Sequence, residues 1–281
     1  MIAACCKWVD LRPEVDPLDA HVRTDPRTAG CSAADAAALE WALRAGERWD
    51  QPVLAVTAGP PEADRVLREA VAAGATRAVR IDLPTSAPSA VVATAIATVL
   101  GAARITSVWC GDHSLDRGSG AVPAFLAAEL GSAQALGLVD VELDARAGRV
   151  TAWRRLDRGR REHVRLDGPW VLSVEGSTAR LRRAALGAVM SSGRAPVEVV
   201  TPAPAVREGS EAAAESHLLR PYRPRARVLP GPAGATALDR VRALTESAAT
   251  SSHGHEVVVL DPPVAADRIL DALAAWGYRE R

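Results

Sequence analysis

The chain has 281 residues, with 34 basic and 34 acidic side chains, 48% apolar residues and 4% aromatic ones. That length and apolar fraction suit one large or two small domains with a proper core and exclude disorder over most of the chain. Zero formal charge argues against a nucleic-acid binder, which would carry a basic excess, and no apolar run approaches the roughly 18 to 20 residues of a membrane-spanning helix.

The opening Met1-Ile2-Ala3-Ala4-Cys5-Cys6-Lys7 lacks the basic flank and apolar length of a signal peptide, so a soluble, cytoplasmic protein is expected. Lys7 is the sole lysine, asparagine is absent and about one residue in five is alanine, a bias that reads as a genome-level preference with little physical content. The four cysteines, Cys5, Cys6, Cys31 and Cys110, show neither C-x-x-C spacing nor a Cys/His cluster, and read as buried strand thiols before redox or metal ligands.

Taken in order, residues 2–9 read as a strand, 32–48 as a helix, 52–58 as a strand, and 61–73 as a helix with Val66, Leu67, Ala70 and Val71 on one face. Residues 78–83 then read as a strand, 89–100 as a helix, 105–110 as a strand and 122–130 as a helix. Strands alternating with helices imply an α/β domain with a parallel sheet covered on both faces. After Gly131 the pattern turns to alternation, with Leu138, Val139, Val141 and Leu143, then residues 150–156, 163–166 and 170–174. Hairpin connections at residues 144–149 and 157–160 complete an antiparallel extension with exposed arginines. Residues 201–232 accumulate prolines and arginines without periodicity and read as an extended arm. Beyond it a helix at 237–247, a strand at 257–260 and a helix at 264–276 form a small tail. The expected organisation is therefore a domain over residues 1–200, an arm over 201–232 and a tail over 233–281, without internal repeats.

In such a sheet, ligands bind where the carboxyl ends of strands meet helix N-termini. The first strand delivers Lys7 there, the second delivers Thr57-Ala58-Gly59-Pro60, and the fourth runs through Cys110-Gly111 to Ser119-Gly120-Ala121-Val122 before a helix. Unpaired amides and the positive helix end at that last point suit a phosphate; ordinary N-capping by Ser119 is the alternative. No Walker A loop and no G-x-G-x-x-G follow the first strand. His113, Ser114 and Asp116 crowd one loop too closely for triad geometry, and His253-Gly254-His255 has no third metal ligand nearby. Arg160, Arg161, Glu162 and His163 read as an exposed strand edge.

The order of these motifs resembles the β subunit of electron transfer flavoprotein over about residues 1–200. The resemblance is carried by Cys6-Lys7-Trp8-Val9, Ala58-Gly59-Pro60, Ala70 through Ala78 with its Gly74-Ala75-Thr76-Arg77-Ala78, Cys110 through Asp116, Ser119 through Ala127, and residues 174–199 with Ala185-Leu186-Gly187-Ala188-Val189-Met190. It implies a Rossmann-like, adenine nucleotide alpha hydrolase-like fold and a heterodimer with an α subunit that holds most of the FAD. This chain would bind AMP, or a second FAD, against Cys5, Lys7, Ala58, Cys110, Gly111 and Asp116, with phosphate at Ser119, Gly120, Ala121 and Val122. Leu186, with Met190, would anchor a partner dehydrogenase. The pattern departs from the family at Ser32-Ala33, where Asn-Pro is usual, at Asp116-Arg117-Gly118, where an acidic triplet stands, at Ala121 in place of glutamine, and at Leu181-Arg182-Arg183, where Pro-Arg-Tyr precedes the anchor.

The expected function is an electron carrier subunit of a divergent paralogue. It would take electrons from a dehydrogenase and pass them toward a quinone-linked oxidoreductase, with no catalytic residue of its own. The scarcity of aromatics fits a chain that cradles an adenine nucleotide while its partner holds the redox cofactor. A nucleotide-binding scaffold or sensor of the same fold is the alternative; an adenylyl-transferring enzyme is disfavoured because the first loop lacks an S-G-G-x-D or H-x-G-H pattern.

Overall fold

Apolar strands separated by alanine-rich helices bury both faces of every strand only in a parallel sheet with helices on both sides. The computed structural model describes residues 1–103, 105–203, 234–246 and 258–275, and the chain divides into two compact units, Met1–Tyr222 and Arg223–Arg281.

The first unit runs β1 (Ile2–Cys5), β2 (Trp8–Asp10), β3 (Glu14–Val15), β4 (Val22–Arg23), β5 (Ala29–Cys31), α1 (Ala33–Trp49), β6 (Val53–Gly59), α2 (Asp64–Ala73), β7 (Arg77–Asp82), α3 (Ser89–Gly101), β8 (Ser107–Gly111) and α4 (Val122–Glu129). It continues with β9 (Ala133–Leu143), β10 (Arg149–Arg155), β11 (Arg161–Asp167), β12 (Trp170–Val174), α5 (Leu186–Ser192) and β13 (Glu198–Val200). Among the described residues one nine-stranded sheet has the order β11-β10-β9-β12-β8-β1-β6-β7-β13. Only β10 runs opposite to the other strands, pairing antiparallel with both β9 and β11; every other pair in the sheet is parallel.

Side-chain alternation along the strands divides the core into two layers. Ile2, Ala4, Val53, Ala55 and Trp109 pack with α1 and α2, whereas Ala3, Leu54, Val56, Val108 and Cys110 pack with α3 and α4. The first layer holds a tryptophan cluster: Trp109 stacks on Trp41 at 6.2 Å and meets Trp170 edge-on at 5.2 Å, and Trp49 meets Trp170 at 6.4 Å. Trp49 and Trp170 satisfy their indole N–H groups on the carbonyls of Asp144 and Gly148.

Two strand expectations change. The first strand is not continuous over residues 2–9: it leaves the main sheet after Cys5, and Trp8–Asp10 pairs instead with Ala29–Cys31. The break falls where the Lys7 amide turns to a side-chain carboxylate rather than to a neighbouring strand. Residues 170–174 do not extend the antiparallel part; β12 is a parallel strand between β8 and β9. All five of its residues are buried, as a central strand requires. Gly137, at a φ of +67°, lies beside the register shift in β9 and donates its amide to the Ser173 hydroxyl.

In the second unit α6 (Ala237–Glu246) and α7 (Pro262–Ala275) form, while residues 258–260 belong to no strand. The arm from residue 204 onward, the His253-Gly254-His255 pair and the ends of the tail lie outside the described residues.

Candidate functional site

The sheet's switch point lies at β1: the chain leaves β1 for β6 on one side and returns through β8 on the other. A crevice opens at such a point beyond the strands' carboxyl ends. Here it is a cleft of about 850 Å³, including the space open to solvent at its mouth.

Its floor is set by the N-terminus of α1. Ser32 caps that helix by accepting the Asp35 amide at 3.1 Å, which turns the Asp35 carboxyl toward the strand ends. There it accepts the amides of Lys7 at 3.0 Å and Gly111 at 3.2 Å. Gly111 is required for that approach, because a Cβ would lie 2.5 Å from the Asp35 Oδ1 atom. Burial pushes the Asp35 carboxyl up to about 6, against these hydrogen bonds and the Lys7 charge.

One wall is the loop after β8. Lys7 Nζ reaches across to Asp116 at 2.5 Å and to the Ser114 hydroxyl at 3.4 Å. Burial pushes the Asp116 carboxyl up, but the Lys7 and Ser114 hydrogen bonds outweigh it and hold it below its ordinary value. Gly120 turns the chain into α4 at a φ of +56°, where a Cβ would stand 2.2 Å from the Asp112 carbonyl oxygen. α4 begins without any side-chain cap. Ser119 therefore does not cap it, and Gly120, Ala121 and Val122, at the start of the helix, line the cleft.

Of the residues expected at a nucleotide site, Cys5, Lys7, Ala58, Cys110, Gly111, Ser119, Gly120, Ala121 and Val122 line this one cleft. Asp116 stands at its edge, ion-paired to Lys7. Cys5 and Cys110 end adjacent parallel strands, and the hydrogen bond between their thiols, then burial, pushes Cys5 well above the usual thiol range. His113 pairs with Asp112 at 2.8 Å, so His113, Ser114 and Asp116 form no triad.

The cleft is also lined by Asp35, which the sequence reading passed over, and by Trp8, Thr57 and Arg117, which stand in the segments it quoted but were not named as ligand-binding residues. Ser32-Ala33-Ala34-Asp35 fits a helix-start pattern, the signal that could have drawn notice to Asp35. Trp8 supplies an aromatic surface where composition promised little. Thr57 is 2% exposed, and its hydroxyl has no partner. Val56, Val92 and Ile96 give the cleft an apolar wall for a planar base. An orphaned hydroxyl, an apolar wall and an uncapped helix start together suit an adenine nucleotide.

Leu186 and Met190 stand apart from the cleft residues, on α5. Leu186 opens the helix 78% exposed and Met190 is 73% exposed, while the helix packs on α2. The segment before it is pinned to α1 by Arg182, which pairs with Glu40 at 3.0 Å and with Glu47.

A parallel sheet wound on both faces, with a cleft at its switch point, defines a Rossmann-like α/β protein. The chain matches the electron transfer flavoprotein domain over residues 25–205 and belongs to that family. It is similar to the electron transfer flavoprotein subunit beta of Methylophilus methylotrophus, with 26% identity over 167 residues. That match covers 58% of this chain and 63% of the relative, so the chain spans less than two thirds of the relative's length. Among the described residues no helix is long and apolar enough to cross a membrane.

Proposed function

We propose that the chain is a β-type electron transfer flavoprotein subunit whose cleft holds an adenine nucleotide, either AMP or the adenosine end of FAD. It pairs with an α subunit that holds most of the FAD, and the pair carries electrons from a dehydrogenase toward a quinone-linked acceptor. The observation that carries this reading is the convergence of three strand ends and the uncapped start of α4 on one cleft, together with the family match.

Bound flavin supplies the electron-carrying chemistry. The chain's own residues do the rest: Val56, Val92 and Ile96 exclude water from the base, Thr57 offers it a hydroxyl, and the Gly120, Ala121 and Val122 amides neutralise phosphate charge. Asp116 holds Lys7 at the mouth. On α5, the exposed Leu186 and Met190 serve as the apolar anchor for the dehydrogenase.

The test is co-expression with an α-type subunit from the same genome, followed by mass spectrometry of released nucleotides. A yellow complex containing an adenine nucleotide is expected. A colourless complex that retains AMP favours the scaffold reading, and a complex free of adenine nucleotide overturns both.

A further inference from the structure

Two cations stand at the cleft, and their partners differ. Lys7 is committed to Asp116 at 2.5 Å and to the Ser114 hydroxyl. Arg117, the next residue after that aspartate, has no carboxylate partner among the described residues. Its Nη2 donates to the Thr85 carbonyl at 3.2 Å, a residue of the opposite rim, so the guanidinium spans the mouth. The nearby carboxylates are engaged elsewhere: Asp116 by Lys7 and the Arg117 amide, Asp112 by His113, and Asp35 by two backbone amides.

A guanidinium presents five N–H donors in a fork that matches phosphate oxygens, and one carbonyl leaves most of them unused. The uncapped start of α4 provides one anion position. Independently, the buried, unpartnered Thr57 hydroxyl marks the cleft as built for a polar ligand. Arg117 supplies a second anion position, separated from the first by the turn through Gly118 and Gly120, both at positive φ.

We propose that Arg117 binds a second phosphate, so that the cleft prefers an adenosine diphosphate moiety to AMP. The inference rests on the adenine-nucleotide reading of the cleft. The shared chemistry is a pyrophosphate, supplied by free ADP or by the corresponding part of FAD.

Equilibrium dialysis of the full chain with radiolabelled AMP, competed by AMP, ADP or FAD, tests it. ADP should displace the label at about tenfold lower concentration than AMP, the effect of one charge-assisted contact at a half-open site. Arg117→Gln should abolish that ratio, bringing the ADP and AMP concentrations needed for displacement together. FAD competing as strongly as ADP identifies the dinucleotide as the source, and FAD failing while ADP succeeds identifies free ADP. Equal displacement by AMP and ADP, or an ADP preference that survives Arg117→Gln, overturns the assignment and leaves the nucleotide site standing. Failure of all three to bind removes the nucleotide reading and the proposal together.

Discussion

Asp35 is a carboxyl buried to 7% exposure, with its charge opposed by burial and favoured by two amides. In the unfolded chain it ionises near 3.8, whereas in the fold burial pushes it up to about 6. Its support for the fold is therefore complete below the lower value and is lost as pH rises through the higher one, a change of about 3 kcal/mol. Asp35→Asn cannot ionise, so in urea unfolding the variant should gain on the natural chain by about that amount between roughly pH 3.5 and pH 7.5. A stability difference that stays constant across that range would contradict the assignment. The sequence shows Asp35 as part of a helix start; its acceptance of amides 28 and 76 residues away belongs to the fold alone. Gly111 and Gly120 were named as site residues from the sequence, but the close approaches to Asp35 and to the Asp112 carbonyl that demand glycine there belong to the fold. Arg117 showed in the sequence only as a departure from an acidic triplet, and only the geometry gives the neighbouring aspartate to Lys7.

At the scale of elements, the segment before α5 shows how a loop is fixed without regular structure. Arg182 donates to Glu40 and Glu47, and Thr178 accepts the Trp41 indole N–H at 3.2 Å, so both ends of the segment grip α1. Burial pushes the Glu40 carboxyl up, yet hydrogen bonds from Arg182 and Arg44 outweigh it and hold it below its ordinary value. Arg182→Met should cost about 2 kcal/mol at neutral pH. Because Glu40 is depressed, that cost should shrink as pH falls through its lowered pKa; chemical unfolding at pH 7 and in mild acid measures both. Leu186→Ala, by contrast, removes an exposed side chain and should shift stability by less than about 0.5 kcal/mol. It should slow reduction by the dehydrogenase while nucleotide content is unchanged, and loss of nucleotide would place Leu186 in a structural role. The helices were legible from their apolar spacing. The end of β1 was not, because Cys6 and Lys7 continue an extended pattern whose partner changes only in three dimensions. β12 was misassigned although Trp170-Val171-Leu172-Ser173-Val174 is a continuous run rather than an alternation, the pattern of a central strand.

For the whole molecule, alternation of strands and helices predicted the parallel sheet and both helical layers, since each strand needs cover on two faces. Strand order was beyond that reasoning: neither the placement of β12 nor the pairing of β13 with β7 follows from local pattern. A sheet that is wound rather than closed has two borders, and a bare border is a template for another chain. Among the described residues, one border is β13, only three residues long, with Glu198 paired to Arg77 at 2.6 Å. The other is β11, where Arg161, His163, Arg165 and Asp167 point to solvent. Replacing Arg161 and Arg165 by valine should leave the fold intact yet raise light scattering on mild heating, and unchanged scattering would deny the border any protective part. The arginines at this margin set like charges side by side wherever the borders of two identical copies would meet strand to strand.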